Sequence, residues 1–196
     1  MRMPKRSFLK WLVAGLLSVA LGAAQPAQPK RTPDVPYVPT TEPAVEAMLK
    51  LAGVTSSDTV YDLGCGDGRI VVTAAKKYGA HGVGIDINPV RIGEAKENAK
   101  KNNVENLVRF EEKDLFEADI KDATVVTLFL LSSVNLKLRP KLLADLKPGT
   151  RIVSNTFDMG DWKPDKEFTL EDDGEDSYLS HRFYLWTVPA KAGSGK

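Results

Sequence analysis

Asp58-Thr59-Val60-Tyr61-Asp62-Leu63-Gly64-Cys65-Gly66-Asp67-Gly68-Arg69-Ile70 is the stretch that decides the fold. Thr59 to Leu63 reads as a buried strand, and a helix is expected from Arg69 to Tyr78. Between them Gly64, Gly66 and Gly68 recur at every second position. Glycines in that arrangement let the chain turn sharply and let a ligand come close to the backbone where a side chain would intervene. The dinucleotide form of such a loop needs its third glycine one position later, where this chain has Arg69. The spacing therefore argues against a dinucleotide.

Charge separates the ligand classes independently. A pyrophosphate is held by bare amides at a helix N-terminus and is repelled by carboxylates, yet Asp62 and Asp67 flank the glycines. S-adenosylmethionine carries an ammonium and a sulfonium, so an acidic loop suits it better than it suits NAD or ATP. Asp86 follows Gly68 by 18 residues, in Gly84-Ile85-Asp86-Ile87-Asn88-Pro89 at the end of a second apolar strand. A carboxylate there can accept hydrogen bonds from both ribose hydroxyls, and Asn88 is the better cap for the helix that Pro89 opens. After a third strand comes Lys113-Asp114-Leu115-Phe116. Asp114 is placed to take an adenine amino group while Leu115 packs on the ring. The expected cofactor site is thus Asp62, Gly64, Gly66, Gly68, Asp86, Ile87, Asp114 and Leu115.

Outward from these motifs, strands and helices alternate. A helix is expected over Pro43–Ala52, strands over Gly82–Ile87 and Leu107–Glu111, and a helix from Pro89 to Lys101. Ala123–Leu131 (ATVVTLFLL) is continuous enough to be a central strand buried on both faces. A helix over Val134–Leu146 and a strand over Thr150–Thr156 follow, and then the style changes. Glu167–Glu171 and Arg182–Val188 are joined by a connection too short for a parallel crossover, so an antiparallel C-terminal hairpin is expected. The fold class is α/β: a mainly parallel, Rossmann-like sheet with helices on both faces.

The 196 residues, 42% of them apolar, suffice for one domain with a core. Net charge is +1 with Lys and Arg spread along the chain, which disfavours a nucleic-acid groove. His81 and His181 are far apart and Cys65 is the single cysteine, so neither a metal site nor an internal disulfide is expected. Cys65 reads as a small loop residue. Residues 1–24 differ in kind: Arg2, Lys5, Arg6 and Lys10 precede an apolar run from Trp11 to Ala24. That run is shorter than the roughly 20 residues of a spanning helix and ends in small residues. It reads as an export signal cleaved near Ala24, or as a short uncleaved anchor. Residues 25–42 read as a linker, 43–190 as the domain and 191–196 as a frayed tail.

VYDLGCGDGRI, GIDINP and EEKDLF at this spacing resemble the motifs of class I methyltransferases. That resemblance implies a seven-stranded sheet with its last strand antiparallel, and S-adenosylmethionine as cofactor. YVPTTEPAVEAML together with LRPKLLADLKPGTRIVSNTFDMGDW resembles, more narrowly, the bacterial relatives of the FAM173-type lysine methyltransferases. It implies N-methylation of a lysine, and with the apolar N-terminal segment the leading reading is a protein lysine methyltransferase acting near a membrane. It also implies that Tyr37-Val38-Pro39-Thr40 folds over the cofactor, with Tyr37 and Thr40 near its methionine part. The prolines around Tyr37-Val38 would hold such a lid extended.

Methyl transfer asks the protein mainly to position a neutral nucleophile and exclude water. The residues facing the acceptor should lie where the fourth and fifth strands end: Ser132, Asn135, Asn155, Phe157 and Asp158. Asn155 and Asp158 are the candidates for acceptor positioning, and Asp161 with Trp162 could guide an ammonium. Each has a structural alternative: Ser132 as a cap, Asn155 as a turn residue, Trp162 packed on the sheet. A small-molecule methyltransferase, or a cofactor-binding module without transfer activity, are the competing functions.

Overall fold

The computed structural model describes residues 32–171 and 181–190. The signal or anchor segment, the first part of the linker, the connection between Glu171 and His181 and the tail lie outside the described residues.

Eleven elements follow one another: α1 (Glu42–Leu51), β1 (Thr59–Leu63), α2 (Arg69–Tyr78), β2 (His81–Asp86), α3 (Pro89–Lys101), β3 (Val108–Glu112), β4 (Val125–Leu128), α4 (Ser132–Asp145), β5 (Arg151–Asn155), β6 (Lys166–Leu170) and β7 (His181–Thr187). The seven strands form one sheet in the order β3-β2-β1-β4-β5-β7-β6. β1 to β5 are parallel, and β7 enters antiparallel between β5 and β6. The expected terminal hairpin is therefore present, with its second strand next to the parallel set.

Alternation along each strand divides the core. Val60, Val125 and Val153 pack under α1 and α2, while Tyr61, Leu63, Val126, Leu128 and Ile152 face α4 and the 115–123 segment. β4 is shorter than the apolar run from Ala123 to Leu131 implies, because Phe129 leaves the ladder after Leu128. Asn88 caps α3, accepting the amide of Val90. Thr41 occupies the α1 cap position but its side chain does not cap the helix amides. At α4 the cap residue is Leu131, and Ser132 is already helical.

The two ends of the sheet serve different purposes. At the N-terminal end, buried Asp58 accepts hydrogen bonds from the Thr55 amide (2.8 Å) and the Thr124 hydroxyl (2.7 Å) and pairs with Arg151. This ties together the starts of β1, β4 and β5. Burial alone would raise its pKa, but the Thr124 hydroxyl, the Thr55 amide and the Arg151 charge hold it below the usual value. The C-terminal strand ends are left open for a ligand, at the point where the strand order reverses between β1 and β4.

Candidate active site

A cavity of about 430 Å³ lies across the C-terminal ends of β1, β2, β3 and β4. β1 and its loop contribute Asp62, Gly64, Cys65 and Gly66; the end of β2 contributes Asp86 and Ile87; the end of β3 contributes Asp114 and Leu115. The segment 32–40 closes it, with Tyr37 and Thr40 among the lining residues. All the expected cofactor residues but one are brought together here. The exception is Gly68, whose Cβ would stand 2.7 Å from Phe110 and 2.9 Å from Ala95. That glycine, at φ +74, lets α2 start close against β3 and α3.

Asp62 is fully buried, and its carboxylate accepts the Thr127 hydroxyl at 2.8 Å. Burial raises its pKa to about 7; the Thr127 bond opposes this, and the charges of Asp86 and Asp67 add to it. A carboxyl held near neutrality beside a cavity is a built counter-ion for a cation. Asp86 closes the loop from the other side, its two oxygens accepting the amides of Gly66 (2.9 Å) and Asn88 (2.8 Å). Burial raises its pKa despite those bonds. Each carboxylate oxygen retains a lone pair for a ribose hydroxyl. Asp114 accepts the amide of Phe116 at 2.9 Å, which fixes the turn that carries Leu115.

Asp67 does not add to the charge offered to a ligand. Arg69 holds it bidentately, with Nη2 to Oδ2 at 2.7 Å and Nε to Oδ1 at 3.0 Å. Burial alone would raise the Asp67 pKa, but the Arg69 bonds and charge bring it below the usual value. The same guanidinium donates from Nη1 to the Thr40 carbonyl at 2.7 Å. Asp67 and Arg69 thus latch the lid rather than select the ligand. A second cation does similar work: the Arg91 guanidinium lies 4.1 Å from the centre of the Tyr37 ring. Tyr37 in turn lies against Gly66, where a Cβ would come within 2.4 Å of the ring.

No sequence motif singles out Arg91. A signal exists nonetheless, since it sits in the first turn of α3, where a cation opposes the helix dipole and acidic residues are the rule. Phe129 is hidden inside the apolar run of β4. It lines the cavity and stacks on Phe157, with ring centres 6.2 Å apart and planes at 28°.

The acceptor-side candidates separate. Asn155 is fully buried, its Oδ1 accepting the Thr156 hydroxyl at 3.0 Å and facing His181 Nδ1 at 3.1 Å. Asp158 is exposed, and its Oδ1 accepts the Gly160 amide at 3.1 Å. Neither lines the cavity. Asp161 and Trp162 are occupied by a cation of the protein itself, since Arg139 pairs with Asp161 and lies 5.8 Å from the Trp162 ring. Trp162 packs on the core, its carbonyl accepting the Trp186 indole N–H at 2.8 Å. No cluster of metal-ligating side chains occurs among the described residues.

The residues fit S-adenosylmethionine: a buried carboxyl that calls for a cation, a glycine cradle that a Cβ would fill, and carboxylates at the ends of β2 and β3. Comparison with known proteins agrees. The model of the ANTKMT methyltransferase domain family matches residues 62–166. A protein-lysine N-methyltransferase of Saccharolobus islandicus is 49% identical over 80% of this chain and 95% of its own. The adenine nucleotide translocase lysine N-methyltransferase of Mus musculus is 36% identical over 66% of this chain, a match that spans 56% of the mouse protein. Among solved structures, an RNA methyltransferase from Salinibacter ruber in complex with S-adenosyl-L-homocysteine is 51% identical, with a TM-score of 0.72 over 81% of this chain and 98% of that one. The chain belongs to the ANTKMT methyltransferase domain family and is a class I S-adenosylmethionine-dependent methyltransferase.

Proposed function

We propose that the chain methylates the side-chain amine of a lysine in a protein substrate, at a membrane. The observation that carries the reading is the Phe129–Phe157 pair where β4 and β5 end. When bound, the cofactor supplies a methyl group already activated on a sulfonium. The protein has then to strip water from an amine and hold it neutral, and an uncharged aromatic wall beside the cavity does both. The Saccharolobus relative, aligned over nearly its whole length, bears a name consistent with this acceptor. The Salinibacter relative is named for RNA, but a net charge of +1 with Lys and Arg spread along the chain disfavours binding to a phosphate backbone.

Incubation with tritiated S-adenosylmethionine and a membrane-containing cell extract tests the reading. Label recovered as methyl-lysine after hydrolysis of the protein fraction is the expected outcome. Label confined to RNA or to small molecules overturns it.

The membrane part of the proposal rests on the basic residues and apolar run of the first 24 residues. Because the cofactor is made in the cytosol, anchoring on the inner face suits the enzyme better than release after cleavage near Ala24. A reporter fused to the C-terminus and active only in the cytosol should be active; a signal only outside the membrane contradicts this placement.

A further inference from the structure

The structure assigns to Asn135 a positioning role: its carboxamide holds the Phe157 side of the aromatic wall in place for the acceptor. The inference rests on the proposed role of that wall. Asn135 follows Val134, which lines the cavity together with Phe129 and Leu130. It is fully buried in α4. Its Nδ2 lies 3.3 Å from Ser154 Oγ, 3.1 Å from the Phe157 carbonyl and 3.2 Å from the Asp158 carbonyl. The Ser154 hydroxyl donates to the same Phe157 carbonyl at 2.6 Å.

The corner that these bonds hold is strained. Thr156 has φ +66, in the left-handed region that β-branched residues avoid. The Arg182 carbonyl on β7 holds its amide at 2.7 Å from one side, and the Phe157 amide bonds back to the Asn155 carbonyl at 2.8 Å. Asn135 supplies the grip from the other side. With the corner fixed, Phe157 stacks on Phe129 at the cavity edge.

Asn135 Oδ1 is buried with no hydrogen-bond partner among the described residues, a cost that a leucine of similar size would avoid among Val134, Leu138 and Leu142. The amide is kept for the two N–H groups it aims at the corner.

A double-mutant cycle reads this directly, with tritiated S-adenosylmethionine and the protein fraction of the extract as probes. Asn135→Leu should cut transfer at limiting acceptor by about tenfold while leaving cofactor affinity, measured by calorimetry, within about twofold. Phe157→Ala should do the same. The double variant should be no worse than Phe157→Ala alone, because the asparagine acts through that ring. Thr156→Gly, which adopts φ +66 without strain, should keep transfer, and adding it to Asn135→Leu should recover most of the loss seen in Asn135→Leu alone. Asn135→Ala takes the place of Asn135→Leu if the latter does not fold. Unchanged transfer in Asn135→Leu, no recovery when Thr156→Gly is added to it, a full tenfold loss persisting in the Phe157→Ala background, or a parallel loss of cofactor affinity overturns the assignment. If wild-type protein labels RNA or small molecules instead, the lysine reading falls, and the cycle run on that fraction still decides the role of Asn135.

Discussion

Asp86 Oδ2 accepts the amide of Gly66 at 2.9 Å, so the end of β2 holds the middle of the glycine loop from 20 residues away. The loop takes its shape from this bond, from the Ile85 carbonyl that accepts the amides of Gly64 and Cys65, and from the Tyr37 ring above. Small changes at position 66 should therefore reach both the cofactor and the lid.

Gly66→Ala forces a Cβ into the Tyr37 ring at a φ of +53. Left-handed geometry costs alanine about 1–2 kcal/mol, and the ring is the part free to give way. We expect a loss of stability of that size and a cofactor affinity weakened at least tenfold. Thermal melting and titration calorimetry check the two halves separately.

Asp62 couples the site to pH. Its pKa is raised to about 7 in the fold, from an unperturbed 3.8, so the ligand-free fold is penalised progressively as pH rises from about 4 and fully above about 7. The shift sets an upper bound on the order of 4 kcal/mol. Asp62→Asn should melt higher than wild type at pH 8 and equally at pH 4, when neither binds cofactor. It should also lose cofactor binding. In wild type, affinity for the cationic ligand should fall as pH drops below 7, since the carboxyl must then give up a proton to bind. An affinity flat between pH 5.5 and 8 contradicts this.

Arg69→Met removes both the pairing of Asp67 and the donor to the Thr40 carbonyl. With both charges partly exposed, the fold should lose only about 1 kcal/mol. The larger effect is expected in the lid: limited proteolysis between residues 32 and 40 should accelerate several-fold, and bound cofactor should no longer protect the segment.

Asp58→Asn tests the opposite end of the sheet. The change leaves Arg151 without its partner charge next to a buried site, which should cost about 3 kcal/mol by chemical denaturation. Cofactor affinity should not change. Because the pKa of Asp58 is held below 3.8, its contribution is complete above that pH and is lost as pH falls through the lowered value.

Sheet and loop are legible in the sequence because their rules are local. Thr59–Leu63, Arg69–Tyr78 and Pro89–Lys101 fall where period, glycine spacing and Pro89 place them. The place of Asp86 in the cavity is legible because it ends the strand that follows the glycine loop and its helix. Phe129 is not, because a cavity wall and a core strand are equally apolar. The role of Asp67 is misjudged from sequence for a related reason: a carboxylate stands beside the glycines, while its charge is spent on Arg69 two residues on and on a lid 29 residues upstream of that arginine. Asn135 stands out as no more than one polar residue among several, since nothing in the sequence shows which carbonyls a helix will bring to its amide.

The reversal of strand order between β1 and β4 divides the labour of the enzyme. Lid, glycine loop, Asp86 and Asp114 all belong with β1, β2 and β3, whereas Phe129 and Phe157 hang from β4 and β5. The halves meet along β1 and β4, where Thr127 holds Asp62 at 2.8 Å, so changes confined to the strand ends that carry Phe129 and Phe157 leave that seam in place. Such a division would let the modified molecule change while the methyl donor is retained, and relatives similar to this chain are named for a protein lysine and for RNA.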